Sequence, residues 1–154
     1  MHGRIQQTTM VPGKVELLTA WLPHQDWYAG DPAGPSLARV GGFRLDDPAG
    51  EVGIEFLVVC DDAGQPVRAY LVPMTYRGSP LAGGDAALIG AAQHGVLGQR
   101  WIYDGTRDPV LLEQLAELIQ HVNAARPGEV TGPWTAADGT VVRSLFATAR
   151  PLVD

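Results

Sequence analysis

Cysteine is almost missing from this sequence: Cys60 stands alone among 154 residues, so no disulfide can form within the chain. Stability must come from a buried core, and nothing points to an oxidising compartment. Metal ligands are equally sparse. His2, His24, His94 and His121 are dispersed, and neither H-E-x-x-H nor a paired C-x-x-C occurs, so we expect no metal and no cofactor. Lys14 is the only lysine. It lacks the glycine-rich loop and following hydroxyl of a Walker A phosphate cradle. Long apolar runs are absent too. The longest, Phe56 to Cys60, falls far short of the ~20 residues of a membrane span, and the N-terminus has no apolar signal region. The expectation is a cytoplasmic protein, neither secreted nor inserted in a membrane.

Positive charge is scarce as well. Ten arginines are scattered singly, the net charge is −6 and the pI about 5.1, which argues against a nucleic-acid partner, since that needs a basic stripe. Asn123 is the only asparagine while Gly, Ala, Pro and Arg are plentiful, a bias associated with GC-rich bacterial coding.

What is present suits a globular chain. Hydrophobic residues make up 45% and charged residues 18%. A compact domain of this length buries roughly 70% of its unfolded surface, so residues 1–154 read as one domain.

The local pattern mixes strands and helices. Ile5 to Val11 suits an opening strand, stopped by Pro12-Gly13. Val15, Leu18 and Leu22 recur at helical spacing until Pro23. Ala29 to Ser36 holds two glycines and two prolines and reads as an irregular loop. Leu37 to Leu45, Glu51 to Cys60 and Val67 to Tyr76 read as neighbouring strands, with Asp61-Asp62-Ala63-Gly64 as a hairpin loop. The Gly41-Gly42 pair predicts a bulge or tight bend. Gly78 to Gly95 reads as pliable, anchored only by Ala86 to Ile89, and Val96 to Tyr103 as a further strand. Asp108-Pro109 reads as a helix start, followed by a stripe of Leu111, Leu112, Leu115, Leu118, Ile119 and Val122. Asp138-Gly139 predicts a final hairpin within residues 128–154. This order favours α+β, with a curved antiparallel sheet packed on one long helix plus a short N-terminal helix.

Catalytic chemistry is hard to find. Gly34-Pro35-Ser36-Leu37-Ala38 lacks the last glycine of a nucleophile elbow. His24-Gln25-Asp26 resembles the His-x-Asp catalytic loop of aminoglycoside-type kinases, but such a kinase also needs a lysine on a strand and a separate metal-binding aspartate, whereas Lys14 lies before the first helix, so the segment reads as a polar turn. Cys60 reads as a packed thiol on the core face of its strand. Glu55, Arg68 and Tyr70 share adjacent strands and are candidate ligand-binding residues on an open sheet face, with cross-strand pairing as the competing explanation. Trp27 and Tyr28 border the Gly/Pro-rich loop and, with Asp31, are candidate partner-binding residues, since aromatic faces anchor partners and stack on sugars.

Three segments carry a resemblance. Trp21-Leu22-Pro23-His24-Gln25-Asp26-Trp27-Tyr28-Ala29-Gly30 resembles the opening motif of the maltokinase N-terminal cap domain. Tyr70-Leu71-Val72-Pro73-Met74-Thr75-Tyr76 resembles its central strand, and Trp101-Ile102-Tyr103-Asp104 with Asp108-Pro109 its closing strand-to-helix step. The likeness runs over roughly residues 10 to 123. It implies a cystatin-like curved sheet around a helix, of a stand-alone actinobacterial type sometimes grouped with 1,4-α-glucan branching proteins. Asp31 replaces the family's basic residue after Ala-Gly.

The resemblance places phosphoryl transfer in kinase lobes whose motifs are not found here. The expected function is therefore a non-catalytic module that binds or regulates a protein partner in bacterial α-glucan, maltose or trehalose metabolism. A sugar-binding protein or modest enzyme using the open sheet face is the alternative, and a homodimer joined through sheet edges is a third.

Overall fold

The computed structural model describes residues 9–124 and the segment 135–136. In chain order they form β1 (Met10–Val11), α1 (Lys14–Trp21), β2 (Leu37–Leu45), β3 (Gly53–Asp61), β4 (Arg68–Arg77), β5 (Leu88–His94), β6 (Gly98–Asp104), α2 (Pro109–Ala124) and β7 (Thr135–Ala136). Short 3-10 turns at Leu22–His24, Asp85–Ala87 and Gly105–Arg107 join them. The strands make one antiparallel sheet in the order β1-β5-β6-β4-β3-β2-β7. Most of the predicted opening strand and of the hairpin over residues 128–154 lies outside the described residues.

The sheet curls around α1. That helix touches both β2 and β5, with β3, β4 and β6 between them in the sheet. Four strand spacings would span ~19 Å if flat, whereas the helix with its side chains is ~10 Å wide. Only a curled sheet brings both strands to it. Two bulges assist, one at Val40 between Arg39 and Gly41 and one at Ile89 between Leu88 and Gly90. Gly42, with φ +145°, lies against the Phe56 carbonyl where a side chain would collide.

Both faces of the sheet carry packed side chains, and β3 divides two cores. Leu57 and Val59 join Tyr70, Val72, Met74, Tyr76, Ala92 and Ile102 around Leu18 and Leu22 on the inner side. Ile54 and Phe56 join Phe43, Leu45 and Val52 against Leu111 and Leu118 of α2 on the outer side. The curled antiparallel sheet and the two helices expected, one long and one short, are present, and their places differ. The short α1 fills the concavity, while the long α2 covers part of the outer face. A one-residue apolar period with alternating sides hid this, because β3 is apolar on both faces.

α2 begins where expected. Asp108 Oδ1 accepts from the Val110 amide at 3.0 Å, and Pro109 follows as the first helical residue. The predicted apolar stripe is wider than the packed one. Leu111 and Leu118 are buried, whereas Leu112 is 46% and Ile119 51% exposed. β5 replaces the pliable stretch expected from Gly78 to Gly95. Its small residues serve a close approach, since a Cβ on Gly90 would stand 2.8 Å from Leu17 Cδ2.

Candidate functional site

The Trp-Leu-Pro segment ends α1, and the 3-10 turn it makes, closed by the Gln25 amide on the Leu22 carbonyl at 3.0 Å, throws Trp27 and Tyr28 back over the sheet. The His24-Gln25-Asp26 segment is the polar turn expected. Trp27 meets Trp21 edge-on with ring centroids 5.9 Å apart and Tyr70 at 5.7 Å, and Tyr28 stacks on Tyr70 at 6.1 Å. Aromatic pairs in these arrangements contribute about 0.5–1.5 kcal/mol beyond the area they bury. Trp27 nevertheless remains 48% exposed.

Polar bonds fix the cluster from beneath. The Ala29 amide donates to the Tyr70 hydroxyl at 3.2 Å, and the Tyr28 hydroxyl donates to the Asp31 carbonyl at 2.8 Å. Gly30 fits between the two side chains that a Cβ would strike, with Tyr28 Oη 2.5 Å and Asp61 Oδ2 2.6 Å from that position. Asp61 is buried and accepts from the Ser36 and Ala63 amides, each at 3.0 Å, tying the loop to the β3–β4 hairpin. Partial burial raises the Tyr28 phenol above its ordinary value, and the charge of Asp61 adds to this.

Arg68 lies opposite Asp61 in the β3–β4 ladder, and its charge reaches Tyr28. The two sets of residues proposed separately from sequence therefore meet in part. Trp27, Tyr28, Asp31, Arg68 and Tyr70 gather at the hairpin end of the curled sheet. Glu55 does not join them. It faces Met74, four residues along β4 from Tyr70, or ~13 Å at strand spacing.

Glu55 belongs to a second polar group at the opposite end of the inner face. Lys14 Nζ donates to both its oxygens, at 2.8 and 3.0 Å, Tyr76 Oη donates at 2.7 Å, and Arg44 Nη2 stands 3.7 Å away. Burial opposes ionisation of Glu55, yet the charges of Lys14 and Arg44 and the two hydrogen-bond donors hold its carboxyl below the usual value. Burial, and then the neighbouring carboxylate, pushes the Tyr76 phenol well up. Glu55, expected on an open sheet face, is 0% exposed beneath α1. Sequence reasoning missed Lys14 as its partner, because 41 positions separate them and nothing local pairs a helix start with a mid-strand carboxylate.

A third group bonds the outer side. Asp108 accepts from Arg77 Nε and Nη2, both at 2.8 Å, and from Thr75 Oγ1 at 2.7 Å. Cys60 is half-buried on the outer face of β3. No cluster of three or more candidate metal ligands occurs among the described residues, and no helix there is long and apolar enough to cross a membrane.

The described residues thus form a small α+β unit, a sheet curled around a short helix with an exposed tryptophan carried by a loop. The family model described as the maltokinase N-terminal cap domain matches residues 21–108, and this chain belongs to that family. The match opens on Trp21 and closes on Asp108, taking in β2 to β6 and the whole aromatic end. No curated protein and no solved structure matches the chain.

Proposed function

We propose that the chain is a non-catalytic cap module that binds or regulates a protein partner in bacterial α-glucan, maltose or trehalose metabolism. The observation that carries this reading is Trp27: a large aromatic side chain half in solvent, held by Trp21 and Tyr70 within a cluster whose backbone is pinned by Asp61 and Gly30. Exposed, preorganised aromatics are the usual anchors of protein interfaces. Tyr28, Asp31 and Arg68 supply the polar surround of such an anchor.

Family membership supports a sugar-kinase context, and the helix held in a curled sheet suits the cystatin-like arrangement implied by the resemblance. The chemistry of the site supports binding rather than catalysis. Its acids, Asp31 and Asp61, accept from backbone amides, and Tyr28 hydrogen-bonds to its own loop. The test is calorimetric titration of the chain against the purified kinase lobes of a maltokinase lacking their own cap. Binding that Trp27→Ala weakens at least tenfold supports the proposal. Absence of binding, or equal binding by the variant, overturns it.

A further inference from the structure

β4 ends short of its neighbours, and a notch results. It stops at Arg77, which faces Trp101 of β6. β6 begins further out, at Gly98, and the loop from β2 to β3, residues 46–52, runs on past the Gly53–Tyr76 pair, so both project beyond the end of β4. Two strand spacings separate β3 from β6, or ~10 Å between backbones. The space between them is about 280 Å³. Gly78, the first residue after β4, has no side chain, and Arg100 lies across it, with Nη1 3.0 Å from the place a Cβ would take.

The two walls of the notch carry opposite charges. Asp46 and Glu51 stand on the loop wall, and Arg100 stands on the β6 wall beside Leu97, which is 59% exposed. Among the described residues these three charged side chains make no ion pair or hydrogen bond. Arg44 also lines the notch, with its guanidinium turned to Glu55 at 3.7 Å. The loop wall is preorganised: Asp47 accepts from the amides of Ala49, Glu51 and Val52 at 3.0, 3.0 and 2.9 Å, and Gly50 makes the turn at φ +69°.

We propose that this notch is a binding site for a small neutral polyol the size of a single sugar ring, whose hydroxyl groups accept from Arg100 and donate to Asp46 and Glu51 while its C–H face rests on Leu97. The site is independent of the partner-binding reading, which uses Trp27 at the opposite end of the sheet.

The mixed charge of the walls selects this occupant. A hydroxyl group both donates and accepts, so one polyol satisfies the guanidinium on one wall and the carboxylates on the other. Hydrogen bonds to ionised groups are roughly twice as strong as neutral ones. An anion would meet Arg100 but be repelled by the two carboxylates, and a cation would meet the carboxylates but be repelled by the guanidinium. A width of ~10 Å between backbones, less the side chains on each wall, admits one ring and not two side by side.

The test is an amide-resolved NMR titration of the full chain with D-glucose and with maltose, up to ~50 mM, the range that an open cleft of millimolar Kd requires. Saturable shifts should appear at Gly50, Glu51, Leu97 and Arg100, and not at Trp27 or Tyr70. Arg100→Met and Glu51→Gln should each weaken binding roughly fivefold or more, as loss of one charge-assisted hydrogen bond does. Neither side chain bonds another described residue, so both variants keep the fold, as a thermal melt will show. Glycine betaine and inorganic phosphate at the same concentrations should give no saturable shift at the notch. No saturable shift with either sugar, unchanged affinity in both variants, or equal binding of the betaine or of phosphate overturns the proposal.

Discussion

Lys14 Nζ lies 2.8 and 3.0 Å from the two carboxylate oxygens of Glu55 and so joins the first turn of α1 to the middle of the sheet. The pair decides where the helix enters the concavity. Removing one partner leaves the other desolvated and unmatched, which is the costly way to break a buried ion pair. Lys14→Met should therefore destabilise the fold by about 3 kcal/mol in urea unfolding. Lys14→Met with Glu55→Leu should recover much of that loss, because two apolar side chains can replace a satisfied pair.

Acid will act through the same carboxylate. The folded-state pKa of Glu55 is lowered, as are those of Asp47 and Asp108, in each case against the opposing effect of burial. A lowered pKa adds stability that is fully present above the unfolded-state value, roughly 4 for these groups, and is lost as pH falls through the folded value. Stability should thus be flat from about pH 5 to about pH 8 and decline below about pH 4. Glu55→Gln should decline less steeply in a pH series of denaturant midpoints.

Asp108 holds the outer side together, accepting from Thr75 and Arg77 of β4 while capping α2 through the Val110 amide. Asp108→Ala removes the cap and strands a buried threonine hydroxyl. The loss should be about 2–4 kcal/mol by chemical unfolding. Arg77→Ala, which leaves the cap and Thr75 bonded, should cost less.

Gly30→Ala separates the aromatic end from the rest of the fold. The added methyl would strike Tyr28 and the Asp61 carboxylate, so the loop must shift. Near-UV circular dichroism from Trp27 and Tyr28 should change, with a loss of about 1–3 kcal/mol, and docking on kinase lobes should fall. An unchanged spectrum would show that the loop accommodates the methyl without moving its aromatics.

Leu118→Ala should cost about 2–5 kcal/mol, as a truncation in a packed core, while Leu112→Ala on the exposed side of the same helix should stay within about 0.5 kcal/mol. Thermal or urea midpoints for the two variants measure how far the apolar stripe exceeds the face that is buried.

Local signals carried much of this fold. β2 runs over the span its residues suggested, Asp108-Pro109 opens α2, and the glycine pair of β2 does mark a bulge. Each depends on residues within a few positions of one another. The errors arise where the determining contact is distant in sequence. β5 is poor in β-branched residues, and at Gly90 the lack of a side chain leaves room for Leu17, a contact that no local pattern reports. Glu55 looks like a surface carboxylate until Lys14 is placed over it. The meeting of Arg68 and Tyr70 with Trp27 and Tyr28 depends on the hairpin end lying beneath the loop, which only the folded sheet reveals.

Because successive side chains of β3 serve opposite cores, the strand tolerates a single alignment with its neighbours. A slip by one residue would carry the Glu55 carboxylate in among Phe43, Leu111 and Leu118, and would set Phe56 against the ammonium of Lys14. The buried charge thus acts as an alignment pin: it adds little to the affinity of helix for sheet, but it makes a one-residue misalignment of the central hairpin strongly unfavourable.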